Sequence, residues 1–230
     1  MNDQSVSLRD RIRKAQAVVF DMDGVLVDSE RHHFMAHQKA LSEFGVEINK
    51  SFYIAHGVST NPALFYAKAF DQEQLPPALA EDIFSRKRQI YRKLQEEEGT
   101  AVIEPAVALV KTLYERKIPL AIASAVRRDE VRRTIKHLKI DRCFAVIVAG
   151  DDVPLRNKPF PDIYLKTAEC LEVNPIDCVA IEDSGNGAAA AIKAGMTCIV
   201  VPNEYTRAHD FTGTLVFSSF SEVEKIIKKE

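Results

Sequence analysis

The sequence predicts an α/β fold: a parallel-sheet Rossmann-like core with an inserted all-helical cap domain. Three observations predict it. Short, continuously apolar runs recur without polar alternation, they alternate with helix-spaced segments from residue 102 onward, and residues 32–101 hold helical stretches with no convincing strand. Unbroken apolar runs fit strands buried on both faces, and strict strand–helix alternation calls for a parallel sheet covered by helices on both sides.

The first run is Ala17 to Phe20, cut off from the rest of its sheet by the insertion. Within the insertion, amphipathic stretches span His33 to Phe44, Pro62 to Phe70 and Pro77 to Glu98. Beyond it lie Leu120 to Ala123, Phe144 to Ala149, Cys178 to Ile181 and Thr197 to Val201, with helical spacing near 105–117, 128–138, 160–172 and 185–195. Leu215 to Phe217 adds a last strand and Glu222 to Lys229 a closing helix. The expected domains are 1–31 plus 102–230 for the core and 32–101 for the cap, with hinges at the crossings and the cap acting as a lid over a sheet edge.

A chain of 230 residues can bury one good-sized core and a smaller module, and 46% apolar with 28% charged residues is a globular composition. A net charge of −2 leaves no broad positive field for a nucleic-acid backbone or an anionic bilayer. Cys143, Cys170, Cys178 and Cys198 lack close paired spacing and read as buried thiols in a reducing compartment. The N-terminal MNDQSVSLRDRIRKA has no apolar stretch of signal-peptide length, and no segment approaches the roughly 20 apolar residues of a membrane span. The expectation is a cytoplasmic monomer whose partner is a small molecule, with no nucleic acid and no membrane.

The chemical signals sit at strand ends, where ligands of open α/β sheets collect. Asp21 and Asp23 follow the first strand; two carboxylates so close repel unless a cation lies beside them, and magnesium suits an all-oxygen site. Gly24 permits a sharp turn and leaves its amide open to an anion. Glu182 and Asp183 end another buried strand before a glycine-rich turn, so in a parallel sheet the four acids converge on one edge. Ser124 ends the strand Leu120 to Ala123, where its hydroxyl and nearby amides are placed to donate to phosphoryl oxygens. Lys158, in a segment stiffened by Pro159 and Pro161, would offset carboxylate repulsion and neutralise developing phosphoryl charge.

Through FDMDGVLVDSE, the Ser124 strand end, NKPFPD and IEDSGNG, the chain from about 16 to 202 resembles the haloacid dehalogenase-like phosphohydrolases, in the helical-cap branch that includes β-phosphoglucomutase and phosphoglycolate phosphatase. The resemblance implies Asp21 as nucleophile, Asp23 as general acid and base, and Ser124 and Lys158 as phosphoryl ligands. It also implies Mg2+ held by Asp21, Asp183 and the Asp23 carbonyl, with Glu182 as a near or outer acid. Halide displacement needs neither magnesium nor an acid at position 23.

Water as acceptor makes a phosphatase; a sugar hydroxyl makes a mutase. Tyr53 to Asn61 looks like the specificity loop of the mutases, but Thr60 stands where they carry an arginine after Gly57-Val58-Ser59, and Ala125-Val126-Arg127-Arg128 replaces their small polar residues. His33 matches a mutase histidine. The reading is therefore a phosphatase of sugar or organic-acid phosphates, with Ala125, Arg127, Gly57 and His33 as candidate substrate contacts and the mutase as alternative. A phospho-receiver domain fits less well, because receivers place the phosphoacceptor on a later strand than the acid pair; a catalytically inactive binding protein is the remaining alternative. His33 and His37 lack a third metal ligand, so His33 reads as a hinge residue near the active site and not as a ligand, while Arg86 to Lys93 reads as a surface helix and Phe65, Tyr66 and Phe70 as cap core.

Overall fold

The computed structural model describes residues 14–152 and 156–228. Most of the N-terminal stretch considered above, and Lys229, lie outside the described residues. The chain forms two compact units, one running to Val27 and resuming at Val102, the other spanning Asp28–Ala101.

The larger unit is built on a six-stranded sheet. In chain order its strands are β1 (Ala17–Phe20), β4 (Leu120–Ala123), β5 (Val146–Val148), β6 (Cys178–Glu182), β7 (Thr197–Val200) and β8 (Leu215–Val216), while β2 (Val27–Asp28) and β3 (Ala101–Val102) mark the crossings. The spatial order is β5-β4-β1-β6-β7-β8 and every pairing is parallel. Phe20 sits in register with Ile122 on one side and Ile181 on the other. The chain leaves β1 for β4 and β5, then returns to β6 on the other flank, so β1 lies at the switch in strand order where such sheets open a crevice.

Successive strand side chains point to opposite faces, and this splits the core in two. Val18, Phe20, Leu120, Ile122, Val179 and Ile181 pack with buried residues of α5 (Glu104–Glu115), α6 (Arg128–His137) and α9 (Phe220–Lys228). Ala17, Val19, Ala121, Ala123, Ala180 and Cys198 pack with α7 (Asp162–Leu171) and α8 (Gly185–Lys193), where small side chains let the alanine-rich α8 come close. The Phe144 to Ala149 run contributes only three strand residues, and the last strand stops at Val216 although Phe217 N still donates to Val200 O at 2.8 Å. Cys178 and Cys198 are buried, but Cys143 is half-buried and Cys170 exposed, because Cys170 falls on the outer side of α7.

The smaller unit is all helical: α1 (Glu30–Glu43), α2 (Lys50–His56), α3 (Pro62–Ala69) and α4 (Pro77–Glu98). Asn49 and Asn61 cap α2 and α3 by accepting from Phe52 N and from Ala63 N. Helix α2 takes in the first half of the stretch expected to be a loop, leaving only Gly57 to Asn61 as connection. Its core gathers Ala40, Leu41, Tyr53, Phe65, Tyr66, Ile83 and Leu94. Among the described residues, no helix is long and apolar enough to cross a membrane.

Candidate active site

Because β1, β4 and β6 are parallel neighbours, their carboxyl ends deliver side chains to one edge. Asp21 follows β1 with its amide still bonded to Ile181 O (3.0 Å), Ser124 follows β4 with its amide on Val148 O (3.1 Å), and Glu182 closes β6. Lys158 comes from the segment between β5 and α7, joined to Pro159 by a cis peptide bond. Its ammonium donates to Asp21 Oδ1 (2.8 Å), Glu182 Oε1 (2.6 Å) and Ala123 O (3.3 Å), which uses all three of its protons.

Glu182 is completely buried and fully engaged. Besides Lys158, it accepts from Tyr164 OH (2.5 Å), Ser184 Oγ (3.3 Å) and Asp183 N (3.2 Å). Gly187 lies so close that a Cβ there would stand 2.0 Å from Glu182 Oε1. Asp183 Oδ2 accepts from Asn203 Nδ2 (2.8 Å) and presses on Gly24, whose φ of +76° and missing side chain are both required, since a Cβ would stand 2.1 Å from that oxygen. Carboxylate oxygens of Asp21, Glu182 and Asp183 all lie within 4.8 Å of one another.

The sequence profile of the haloacid dehalogenase-like hydrolases matches residues 18–201, a span that holds every one of these acids and the lysine. The chain belongs to that family. Protein CbbY of Cereibacter sphaeroides is 34% identical over 221 residues, covering 90% of this chain and 94% of that protein. The phosphorylated carbohydrates phosphatase of Thermotoga maritima is 30% identical over 183 residues, covering 79% and 82%. The crystal structure of a point mutant of Rhodobacter sphaeroides CbbY in complex with xylulose-(1,5)-bisphosphate superposes with a TM-score of 0.77 at 31% identity, over 90% of this chain and 96% of that one.

Charge is crowded at the hydrolase's sheet edge. Burial is the main cause that pushes the Asp21 carboxyl up, to about 7; Lys158 works against it, and Glu182 and Asp23 add to it. Burial pulls the Lys158 ammonium down, but Asp21 and Glu182 outweigh it and hold the amine well above the ordinary lysine range. Burial, then Glu182, drives the Tyr164 hydroxyl far up, so it stays a donor. The Asp21 shift has a sign that can be tested. A carboxyl raised from 3.8 contributes stability that is fully present below 3.8 and is lost as pH rises through about 7. In EDTA, the melting temperature of the wild type relative to Asp21→Asn is therefore expected to fall as pH is raised from 4 to 8. A difference that stays flat across that range would contradict the burial of a titrating Asp21.

The remaining candidates fall in different places. Ser124 is buried and its Oγ accepts from Val126 N (3.3 Å), which leaves the hydroxyl proton as a donor. The Gly24 amide is not open to an anion, because the turn closes on itself and the amide donates to Val27 O (2.8 Å). Ala125 is exposed, and its carbonyl is held against Gly150, where a Cβ would come within 2.1 Å. The Arg127 side chain is 68% exposed and pairs with Asp129 (3.3 Å) and Asp151 (3.9 Å), whereas Arg128 turns back to Asp152 and Ile147 O.

In the helical unit, Gly57 packs under the Tyr53 ring with no room for a Cβ. His33 stacks on Tyr91, with ring centroids 4.2 Å apart, and its Nδ1 lies 2.6 Å from Lys87 Nζ. Burial, then Lys87, keeps His33 well below the ordinary histidine range, so the neutral ring accepts from the lysine. His37 Nδ1 meets Tyr66 OH at 3.2 Å. The basic run Arg86 to Lys93 is not uniformly at the surface: Lys87 is 6% exposed, buried by the face of α4 that packs on α1. Tyr164 and Asn203 are the side chains at the sheet edge that sequence reasoning passed over. A hydroxyl on the apolar stripe Ile163, Tyr164, Thr167, Ala168 was a readable sign for the first, but nothing local marks the second.

Proposed function

We propose that this phosphoric monoester hydrolase is magnesium-dependent, acts on a small phosphorylated metabolite of the sugar or organic-acid phosphate class, and works through an aspartyl-phosphate on Asp21. The observation that carries the reading is Asp21 at the end of β1, bonded to a buried lysine and within carboxylate distance of Asp183. The Thermotoga relative's name and the bisphosphate bound by CbbY support a sugar phosphate.

Asp21 attacks phosphorus through a carboxylate oxygen as the bond to the ester oxygen breaks, and Asp23 gives its proton to that leaving oxygen. Asp23 then takes a proton from water, whose oxygen attacks phosphorus and releases Asp21 and inorganic phosphate. Lys158 is already desolvated and oriented, so it neutralises phosphoryl charge without reorganising. Ser124 and the Ala125 backbone hold phosphoryl oxygens, and Arg127 contacts the rest of the substrate.

The donor set fits a hard divalent cation: all ligands are oxygens, and the acids at the edge outnumber the single lysine. Asp21, Asp183 and the Asp23 carbonyl would hold Mg2+, with Glu182, whose oxygens already have protein donors, as the outer acid. When bound, the ion supplies Lewis-acid neutralisation of the phosphoryl oxygens.

The test is a panel of sugar, organic-acid and nucleotide monophosphates with and without Mg2+, following phosphate release and isomerised product together. Magnesium-dependent release is the expected result. Conversion of a sugar 1-phosphate to its 6-phosphate without net release would make the protein a mutase instead, and show that Thr60 does not decide between the two.

A further inference from the structure

We infer that Asn203 is a positioning residue for Asp183, acting through the loop that follows β7 to hold the carboxylate in place for a divalent cation. The inference rests on the magnesium reading above and extends it to a residue outside the motifs that define the site.

The argument starts in the sheet. β7 runs beside β6 with Val200 opposite Glu182, and the ladder continues one residue further through Val201 N donating to Glu182 O (2.9 Å). The residue two places beyond therefore emerges next to the one after Glu182, and Asn203 Nδ2 donates to Asp183 Oδ2 at 2.8 Å. The amide is held at its other end as well. Asn203 Oδ1 accepts from Tyr205 N (2.8 Å), Thr206 N (3.2 Å) and Thr206 Oγ1 (3.3 Å), while Thr206 Oγ1 accepts from Asn203 N (3.0 Å). Donors on one side settle which way the amide points, because only its NH2 end is left to face a carboxylate. Tyr205 and Thr206 are buried, so the loop end that grips the amide is itself anchored.

Asp183 is thus clamped between Gly24, which leaves no space on one side of Oδ2, and an oriented amide donor on that same oxygen. A carboxylate whose rotation is fixed before the cation arrives loses less freedom on binding it, and outer partners of this kind tune affinity as well as orientation.

The experiment measures Mn2+ binding to the metal-free protein by titration calorimetry and by loss of the free-ion paramagnetic signal, with no substrate and no turnover. Three variants accompany the wild type. Asn203→Ala removes both ends of the clamp. Asn203→Ser keeps a short acceptor for the loop amides but cannot reach Asp183, and it serves if the alanine variant does not fold. Thr206→Val loosens the loop and leaves the Asp183 donor in place. The expected result is Mn2+ affinity weakened roughly 10–100-fold in the Asn203 variants, the range typical of such outer partners, with a clearly smaller loss in Thr206→Val. Wild-type affinity in Asn203→Ser, or an equal loss in Thr206→Val, would overturn the inference and reduce Asn203 to a loop clamp while leaving the metal reading intact. Failure of the wild type itself to bind Mn2+ would overturn both.

Discussion

Asp21→Asn is expected to lose turnover by roughly three to six orders of magnitude in kcat, the scale seen when a nucleophile is removed, in a protein that remains folded. The amide is nearly isosteric and still offers an oxygen toward Lys158, which keeps its bonds to Glu182 and to Ala123 O. On the proposed mechanism, what disappears is the charged oxygen that would attack phosphorus, and the neighbouring acids are already engaged: Glu182 is completely buried with protein donors on its oxygens, and Asp183 is held by Asn203. Acid quenching after mixing with a turned-over substrate should trap phosphorylated wild type and no phosphorylated variant. Retained turnover above about one percent in a contaminant-free preparation would sink Asp21 as the nucleophile, because non-additive units of this kind lose far more than that.

Lys158→Met carries the second large effect, and it falls on stability as well as rate. The ammonium is 12% exposed and bonded to two buried carboxylates, so its removal leaves Asp21 and Glu182 facing each other without a cation. Breaking one partner out of a buried ion pair costs about 3–5 kcal/mol, which for a chain of this size is on the order of 10 °C in Tm. Turnover should fall at least roughly 100-fold, as for loss of one oriented charge-stabilising donor. Differential scanning calorimetry in EDTA and in saturating Mg2+ checks the first part, and part of the lost stability should return with the ion, which supplies positive charge at the same edge. An unchanged Tm would mean that the Asp21–Lys158–Glu182 chain is not held in solution as described.

Much of the fold was readable because its strands are buried on both sides. Ala17–Phe20 and Leu120–Ala123 match the apolar runs end to end, since a central strand between two helical layers has no polar position to blur its limits. Toward the sheet edges the match loosens, as in the three-residue β5, where half-buried positions carry the same apolar letters as strand residues. Helix α2 was hidden for a different reason: Tyr53 to Asn61 contains glycine and small polar residues in its second half, and the first half is too short for its periodicity to speak.

The acids were legible for a physical reason, since each sits at or just after a strand end and parallel strands send those ends to one edge, whereas Lys158 reaches that edge from the segment between β5 and α7. Sequence by itself determined that edge and the chemistry its residue types permit. Tertiary structure alone decided which oxygen each donor meets. Glu182 lies under Tyr164 and beside Lys158, Asp183 is turned by Asn203 from a different loop, and Lys87 is buried against His33 from a helix whose charges read as surface. These pairings join residues up to 54 positions apart, and only the packing of whole elements fixes them. Hydrogen bonding acts over about 3 Å, and no local pattern encodes which of two distant segments will come that close.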